Sequence, residues 1–251
     1  MYKGKTVRES ILLEEAALSQ EEELVFEESQ QGIKIVFWGA TMAGKTTALS
    51  LFHAIKKKEN PESVYNFLKL EDKATERTIG FDQATFGLGS SSGKGFKYHL
   101  FTTPGQDRFK SMRKIVVNGL HGLIVVLDSE KARWKENKDS LTELFNILGE
   151  KIYNREVKLA IMLNKMDLPV ETRISAADVG RLMLEAGVSD KLRDTFASTF
   201  EVSCLNALSE LKEAWSKGEW NPKRRPQAVQ RIIQPIQMVI RDILVSELRK
   251  T

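Results

Sequence analysis

The sequence predicts an α/β fold: a doubly wound, mostly parallel sheet with helices on both faces. The runs 123–127 and 159–163 are almost entirely apolar, which is typical of parallel strands that are buried on both faces. A helical pattern over 131–151 separates these two runs. Strands that alternate with helices along the chain favour a doubly wound sheet.

Shorter segments extend this alternation. Residues 33–38 are β-branched and aromatic and predict a strand, while residues 45–57 place apolar side chains on one helical face. Residues 81–88 and 96–101 flank a glycine- and serine-rich stretch, which indicates a strand–turn–strand unit. We expect a last strand at 199–203.

The carboxyl-terminal part allows two arrangements. We favour a last core helix near 226–249, which Pro235 kinks or restarts because proline lacks an amide hydrogen. Residues 205–225 are then an insertion. In the alternative, the last core helix covers 205–217, and residues 226–248 are an addition for contact with a partner or a membrane.

Charge is distributed unevenly along the 251 residues. Residues 1–31 hold three basic and eight acidic residues, a net charge of −5, so the remainder sums to +9. We therefore separate an acidic amino-terminal extension, 1–31, from a domain over 32–251. The basic carboxyl-terminal region suits nucleic acid, anionic lipid or an acidic protein. Because its basic residues are mixed with helical apolar spacing, we favour a solvated surface and expect no nucleic-acid partner.

Composition argues against several classes of protein. Apolar residues make up 41% and charged residues 29% of the chain, as in ordinary globular domains. No apolar run approaches the ~18 residues of a membrane-spanning helix, and we find no signal peptide or lipidation motif at either end. The single cysteine excludes an intrachain disulfide. We expect a cytoplasmic protein, for which membrane contact is unsupported by any lipid anchor.

A phosphate-binding pattern stands between the first predicted strand and the first predicted helix. Residues 39–46 read Gly-Ala-Thr-Met-Ala-Gly-Lys-Thr, and the backbone amides of such a loop bind phosphate oxygens. Lys45 would place its charge on the β- and γ-phosphates, and the Thr46 hydroxyl would coordinate Mg²⁺. The predicted nucleotide-binding residues of this loop are Gly39, Ala40, Thr41, Met42, Ala43, Gly44, Lys45, Thr46 and Thr47.

A second motif favours guanine as the base. Asn164, Lys165 and Asp167 directly follow an apolar strand, and ligands of open α/β sheets bind at the carboxyl ends of strands. A carboxylate at Asp167 can accept two hydrogen bonds from the N1–H and amine of guanine, whereas adenine lacks that amine. Lys165 would cover the base, and Asn164 would tie this loop to the phosphate loop.

A third segment, after the last predicted strand, completes the base site. The amide of Cys204 could contact guanine O6, although a small buried core cysteine is an equally good interpretation. The candidate residues of this segment are Ser203, Cys204 and Leu205.

The order of these motifs resembles the Ras superfamily of small GTPases over roughly residues 32–204. Residues 77–82, Arg-Thr-Ile-Gly-Phe-Asp, are similar to a stretch of the Arf family. Residues 102–106, Thr-Thr-Pro-Gly-Gln, resemble the prokaryotic MglA-type GTPases of cell polarity and gliding motility. The resemblance implies a Mg²⁺-dependent switch that hydrolyses GTP to GDP slowly, and regulatory proteins (an activator, an exchange factor and an effector) that contact its switches.

Roles for residues in two switch segments follow from the same resemblance. Thr78 would give its hydroxyl to Mg²⁺ and its amide to the γ-phosphate, and Gly105 would give a second amide. Gln106 would orient the attacking water. Arg77 resembles the intrinsic arginine finger of the MglA-type family; an exposed arginine on a loop is the competing interpretation, and Arg108 is a weaker candidate for the finger. The predicted catalytic residues are therefore Gln106, Arg77 and Lys45, and the metal ligands are Thr46 and Thr78.

One departure from the family pattern keeps other functions open. Thr102 occupies the position where small GTPases carry an aspartate that supports a Mg²⁺-bound water. A neutral hydroxyl there removes a negative charge near the metal, so a GTP-binding interaction module with little hydrolysis is the first alternative. An ATP-using phosphate-loop enzyme is the second, and the preference for guanine over adenine decides it.

Overall fold

Nine strands, six α-helices and three short 3₁₀ turns account for the regular structure of the described residues. The computed structural model describes residues 32–69, 71–72, 77–78, 81–88, 96–105, 110–189 and 199–249. The strands are β1 (Ile33–Trp38), β2 (Val64–Leu68), β3 (Glu71–Asp72), β4 (Arg77–Thr78), β5 (Gln83–Leu88), β6 (Phe96–Thr102), β7 (Gly122–Asp128), β8 (Lys158–Asn164) and β9 (Thr199–Glu201). The helices are α1 (Lys45–Glu59), α2 (Lys110–Val116), α3 (Trp134–Tyr153), α4 (Ala176–Glu185), α5 (Cys204–Ser216) and α6 (Gln227–Leu248).

Seven of these strands form one sheet in the order β2-β5-β6-β1-β7-β8-β9. β1 lies parallel to β6 and β7, and the parallel order continues through β8 to β9. β2 and β5 add an antiparallel edge. The expectation of a doubly wound, mostly parallel α/β sheet is therefore confirmed.

The side chains of β1 alternate between two hydrophobic layers, as strand geometry requires. Ile35 and Phe37 belong to a core cluster that contains residues of α1, α5 and α6. Val36 and Trp38 belong to a second cluster that contains residues of α3 and α4. Because β7 and β8 are covered on both faces, nearly all their residues are buried, which explains the apolar runs in the sequence.

Two helices follow β9, so each segment considered for the last core helix is helical. α6 contacts β7, β8 and β9, and α5 packs against α1 and α6. Pro235 lies buried within α6, which runs through it without a restart. The expected insertion, residues 205–225, thus begins within helix α5, whose first residue is Cys204.

The acidic extension 1–31 and the turn 89–95 lie outside the described residues. Within the described part of the chain, no helix is both long enough and apolar enough to cross a membrane.

Candidate nucleotide-binding site

The loop between β1 and α1 closes through two backbone conformations that favour glycine. Gly39 has a φ of 156°, and a Cβ there would lie 2.1 Å from the carbonyl oxygen of Val126. Gly44 has a φ of 104°, and a Cβ there would lie 2.2 Å from Nδ2 of Asn164. Side chains at these positions would meet strained angles and close contacts. The resulting tight loop leads into the amino end of α1, where backbone amides bind anions.

Lys45 is held inside this loop. Its Nζ donates to the carbonyl oxygens of Gly39 and Ala40, at 2.8 Å in each case. Burial, followed by the charge of Arg113, lowers the pKa of Lys45 to about 7, and Asp82 acts in the opposite direction. Phosphate oxygens beside this amine would favour its charged form. A bound polyphosphate would therefore raise the pKa of Lys45 and keep its amine charged.

A carboxylate lies next to the hydroxyl that the sequence assigns to the metal. Thr46 Oγ1 donates to Asp82 Oδ2 at 2.5 Å, and Thr102 Oγ1 donates to the same oxygen at 2.9 Å. The amide of Asp82 donates in turn to Thr102 Oγ1 at 2.9 Å. Asp82 is fully buried. A carboxylate thus lies beside Thr102, the position where the family pattern has its aspartate.

Strand pairing explains how Asp82 reaches this place. It directly precedes β5, and β5 pairs with β6 so that Gln83 lies opposite Phe101. The next pair is Asp82 and Thr102, joined by a hydrogen bond from the amide of Thr102 to the carbonyl of Asp82. An aspartate at 82 and an aspartate at 102 would therefore present their carboxylates within the same small volume.

The oxygen donors at this place fit Mg²⁺, which prefers oxygen ligands and is commonly held by one or two carboxylates together with substrate phosphates. Thr46 and Asp82 provide a hydroxyl and a carboxylate. Within the part of the chain that the structure describes, no group of three or more His, Cys, Asp or Glu side chains could hold a metal. Nucleotide phosphates would have to complete the coordination.

The loop after β8 is tied to the phosphate loop. Asn164 Nδ2 donates to the carbonyl oxygen of Ala43 at 2.9 Å. On its other side, Asn164 Oδ1 accepts the amide of Cys204 at 3.0 Å. Ser203 Oγ donates to Asp167 Oδ1. The three segments that the sequence assigns to the nucleotide are therefore brought together at the carboxyl ends of the strands.

Cys204 is more constrained than the sequence suggests. Its amide already donates to Asn164, so the expected contact with guanine O6 requires a bifurcated hydrogen bond. Burial, followed by the charge of Asp167, raises the pKa of its thiol to about 12, which makes it inert as a nucleophile. The neighbouring Leu205 is 65% exposed in the first turn of α5.

Comparisons with known proteins agree with this geometry. A model of the ADP-ribosylation factor family matches residues 21–213. The chain belongs to this family of Ras-superfamily small GTPases. The mutual gliding-motility protein MglA of Myxococcus xanthus is 34% identical over 137 residues, which are 54% of this chain and 68% of that protein.

Other relatives support the same assignment. Human ADP-ribosylation factor-like protein 4C is 30% identical over 140 residues, covering 55% of this chain and 63% of that protein. The Ras-related protein SEC4 of Saccharomyces cerevisiae is 30% identical over 157 residues, covering 62% and 63% of the two chains. This small GTPase is a GTP-binding switch protein that hydrolyses GTP, and its ligands are GTP or GDP and Mg²⁺.

The first switch segment of this small GTPase is described only in part. The backbone of β4, which contains Arg77 and Thr78, pairs with β3 as a short antiparallel unit. The side chains of these two residues, and the whole of Gln106 and Arg108, lie outside what the structure describes. Their assigned roles therefore stay predictions.

The start of the second switch segment lies against the phosphate loop. A Cβ at Gly105 would lie 2.5 Å from Cα and 2.7 Å from the amide nitrogen of Thr41, so only glycine permits this close approach. The preceding residue, Pro104, accepts a hydrogen bond at 3.2 Å from Nη1 of Arg113. The same guanidinium binds both carboxylate oxygens of Glu143 on α3 at 3.0 and 2.7 Å. A partly buried ion pair thus holds the segment that precedes Gly105.

A cavity of about 660 Å³ opens beside the phosphate loop of this small GTPase. It reaches from Gly44–Thr47 along α1 to Lys212 and Trp215 on α5. The exposed Thr47, predicted to bind nucleotide, lines this cavity. A second cavity of about 840 Å³ lies on the other side of the loop, between Gly105 and α3.

Sequence reasoning missed Asp82 and Asp128. Two features of the sequence could have indicated Asp82. Position 102 lacks the expected aspartate, and Asp82 stands directly before β5, the strand that pairs with β6. Asp128, at the end of β7, is fully buried and its Oδ2 lies 2.6 Å from Nζ of Lys165. It therefore positions a residue that the sequence assigns to the base.

Proposed function

We propose that Asp82 supplies the carboxylate of the metal site at which this small GTPase hydrolyses GTP, with water as the nucleophile. The observation that supports this is the Asp82 carboxylate between the hydroxyls of Thr46 and Thr102, at 2.5 and 2.9 Å. A site that lacked an aspartate at 102 and had no other carboxylate nearby would favour the alternative of an interaction module. The charge from Asp82 favours hydrolysis instead.

The chain's own groups hold and polarise the triphosphate in this proposal. Lys45 and the amides of the phosphate loop bind the β- and γ-phosphates. Gly105 donates its amide to the γ-phosphate, and Gln106 orients the water. Mg²⁺, when bound, neutralises charge on the β- and γ-phosphates. After hydrolysis the contacts to the γ-phosphate are lost and the switch segments relax.

Single-turnover hydrolysis tests the proposal. Purified protein loaded with GTP and Mg²⁺ is expected to release phosphate at a rate between about 10⁻⁴ and 10⁻² s⁻¹, the range of small GTPases and of relatives with an arginine in cis. Chelation of the metal should stop the release. Tight GTP binding with no phosphate released over a day would establish the interaction module and reject the proposal.

Arg77→Ala tests the intrinsic finger. A guanidinium beside the γ-phosphate neutralises charge that grows in the transition state, so we expect hydrolysis to fall by about 10- to 100-fold while GTP affinity changes little. Arg181→Ala is the matched control, because Arg181 is exposed on α4. A loss below twofold, both in the free protein and with an activating partner, would leave Arg77 as an ordinary loop arginine.

We also propose that regulatory proteins bind along α2, which follows the second switch segment. Ile115, next to the last residue of this helix, is 59% exposed and offers an apolar side chain to a partner. GTP-loaded protein should capture partners that GDP-loaded protein does not, and Ile115→Asp should abolish the difference. Equal capture by both loaded forms would contradict this surface.

Finally, we propose that the protein works in the cytoplasm, where GTP and Mg²⁺ are available to a switch of this kind. The single cysteine, Cys204, is buried and in the thiol form, which suits a reducing compartment. Fractionation of cells should recover the protein with cytoplasmic markers, and recovery with extracellular material would contradict this.

A further inference from the structure

An arginine contacts the outer side of the phosphate loop. Arg133 ends the short 3₁₀ turn Lys131–Arg133 that precedes α3. Its Nη2 donates to the carbonyl oxygen of Thr41 at 2.8 Å, across 92 positions of sequence. Thr41 belongs to the middle of the loop, and the close approach of Gly105 reaches the same residue.

The geometry of the peptide bond transmits this contact to the inside of the loop. In a trans peptide the carbonyl of one residue and the amide of the next point in opposite directions, and the described chain contains no cis peptide. The hydrogen bond from Arg133 to the Thr41 carbonyl therefore fixes the plane of this peptide, with the Met42 amide on the side opposite the carbonyl. We expect that amide to face the interior of the loop. Backbone amides in this interior are the groups that bind phosphate.

Met42 needs such support because its backbone is unfavourable. It has a φ of 62°, a left-handed conformation that residues other than glycine, asparagine and aspartate rarely adopt. Its side chain is 69% exposed, so packing contributes little to holding it. The hydrogen bond from Arg133 acts on the peptide that joins Thr41 to Met42, which is the point where the chain enters this conformation.

The other side of Arg133 faces the loop after β8, residues 164–167, which we call the base loop. Its Nε lies 3.8 Å from Oδ2 of Asp128, and the same oxygen lies 2.6 Å from Nζ of Lys165. Asn137 holds the backbone of Asp128 through two hydrogen bonds, at 3.1 and 2.8 Å. The buried carboxylate of Asp128 thus lies between Arg133, which contacts the phosphate loop, and Lys165 of the base loop.

We propose that Arg133 is a positioning residue that aims the Met42 amide at the phosphates and couples the phosphate loop to the base loop through Asp128. This inference rests on the proposed nucleotide site. It adds a second connection to the one between Asn164 and Ala43. Glu136, which pairs with Arg133 at 2.8 Å, lies on the solvent side and is outside the connection.

The test compares Arg133→Ala with Glu136→Gln in the full chain. Loss of a charge-assisted hydrogen bond at the loop should speed the release of a fluorescent GDP by about 10-fold or more, and should slow single-turnover hydrolysis by a similar factor. Glu136→Gln removes the solvent-side partner alone and should stay within about twofold of the wild type. Arg133→Lys retains the charge without the planar fork, so its effect should be intermediate.

A spectroscopic readout separates positioning from general stability. The backbone amide resonance of Met42 in the GDP-bound protein should move in Arg133→Ala and stay in place in Glu136→Gln. Unchanged GDP release with an unchanged Met42 resonance would overturn the inference, as would a lower melting temperature as the only effect. If Arg133→Ala does not fold, Arg133→Lys is measured in its place. Faster GDP release with a moved Met42 resonance supports the inference, and no change in either overturns it. Failure of the wild-type protein to bind GDP would instead reject the proposed function.

Discussion

Asp82→Asn is expected to weaken the Mg²⁺-dependent binding of GTP and to slow hydrolysis by about 10- to 100-fold, the usual effect of losing a group that supports a metal ligand. Asparagine has nearly the same shape, and its carbonyl oxygen can still accept from Thr46. What disappears is a buried negative charge that lies 2.5 Å from the hydroxyl expected on the metal. Titration of GTP binding against Mg²⁺ concentration, followed by single-turnover hydrolysis, measures the loss.

A second substitution tests the same idea by rescue. Thr102→Asp, added to Asp82→Asn, returns a carboxylate to the strand end that pairs with position 82 and should recover most of the Mg²⁺ dependence. Asp139→Asn is the control, because Asp139 is an exposed carboxylate of α3 that pairs with Lys135. An Asp82→Asn protein with an unchanged Mg²⁺ requirement would show that this carboxylate is only a structural partner of the two threonines.

Local patterns in the sequence were sufficient to predict most of the fold and the two nucleotide loops. The phosphate loop and the base loop are contiguous motifs, and each lies beside a strand whose apolar run reveals its burial. The tie between them, Asn164 to Ala43, could be expected because both loops sit at the carboxyl ends of parallel strands. Each motif is contiguous in sequence, and the parallel order of the strands brings Asn164 and Ala43 together across 121 positions.

Contacts that depend on strand register or on a short turn were the part that could not be predicted. Asp82 lies 36 positions from Thr46, and their contact depends on the exact register of β5 against β6. Arg133 reaches Thr41 only because a 3₁₀ turn places it beside the loop. The strands β3 and β4 have two residues each, which is too short for any periodic pattern to show.

Asp167→Asn is expected to exchange the base preference from guanine to xanthine. Asp167 Oδ1 accepts a hydrogen bond from Ser203 Oγ, and the asparagine carbonyl can keep that bond. The amide nitrogen then occupies the other carboxylate position, where it donates. A donor there matches the carbonyl of xanthine and opposes the amine of guanine. Sites built on such hydrogen bonds reject the wrong partner by about 10⁴-fold, so competition among GTP, XTP and ATP should show a large change.

Ser203→Ala tests whether base preference depends on the carboxylate of Asp167 itself or on the hydroxyl that holds it in place. It removes the hydroxyl that fixes Asp167 and also accepts the amide of Asn206 at 3.0 Å, while both carboxylate oxygens remain acceptors. The variant should bind guanine nucleotides more weakly without gaining affinity for xanthine. A protein whose Asp167→Asn form kept its preference for GTP would need another group to recognise the base. An equal affinity of the wild type for ATP would favour the ATP-using alternative, because adenine presents an acceptor at N1 where the carboxylate requires a donor.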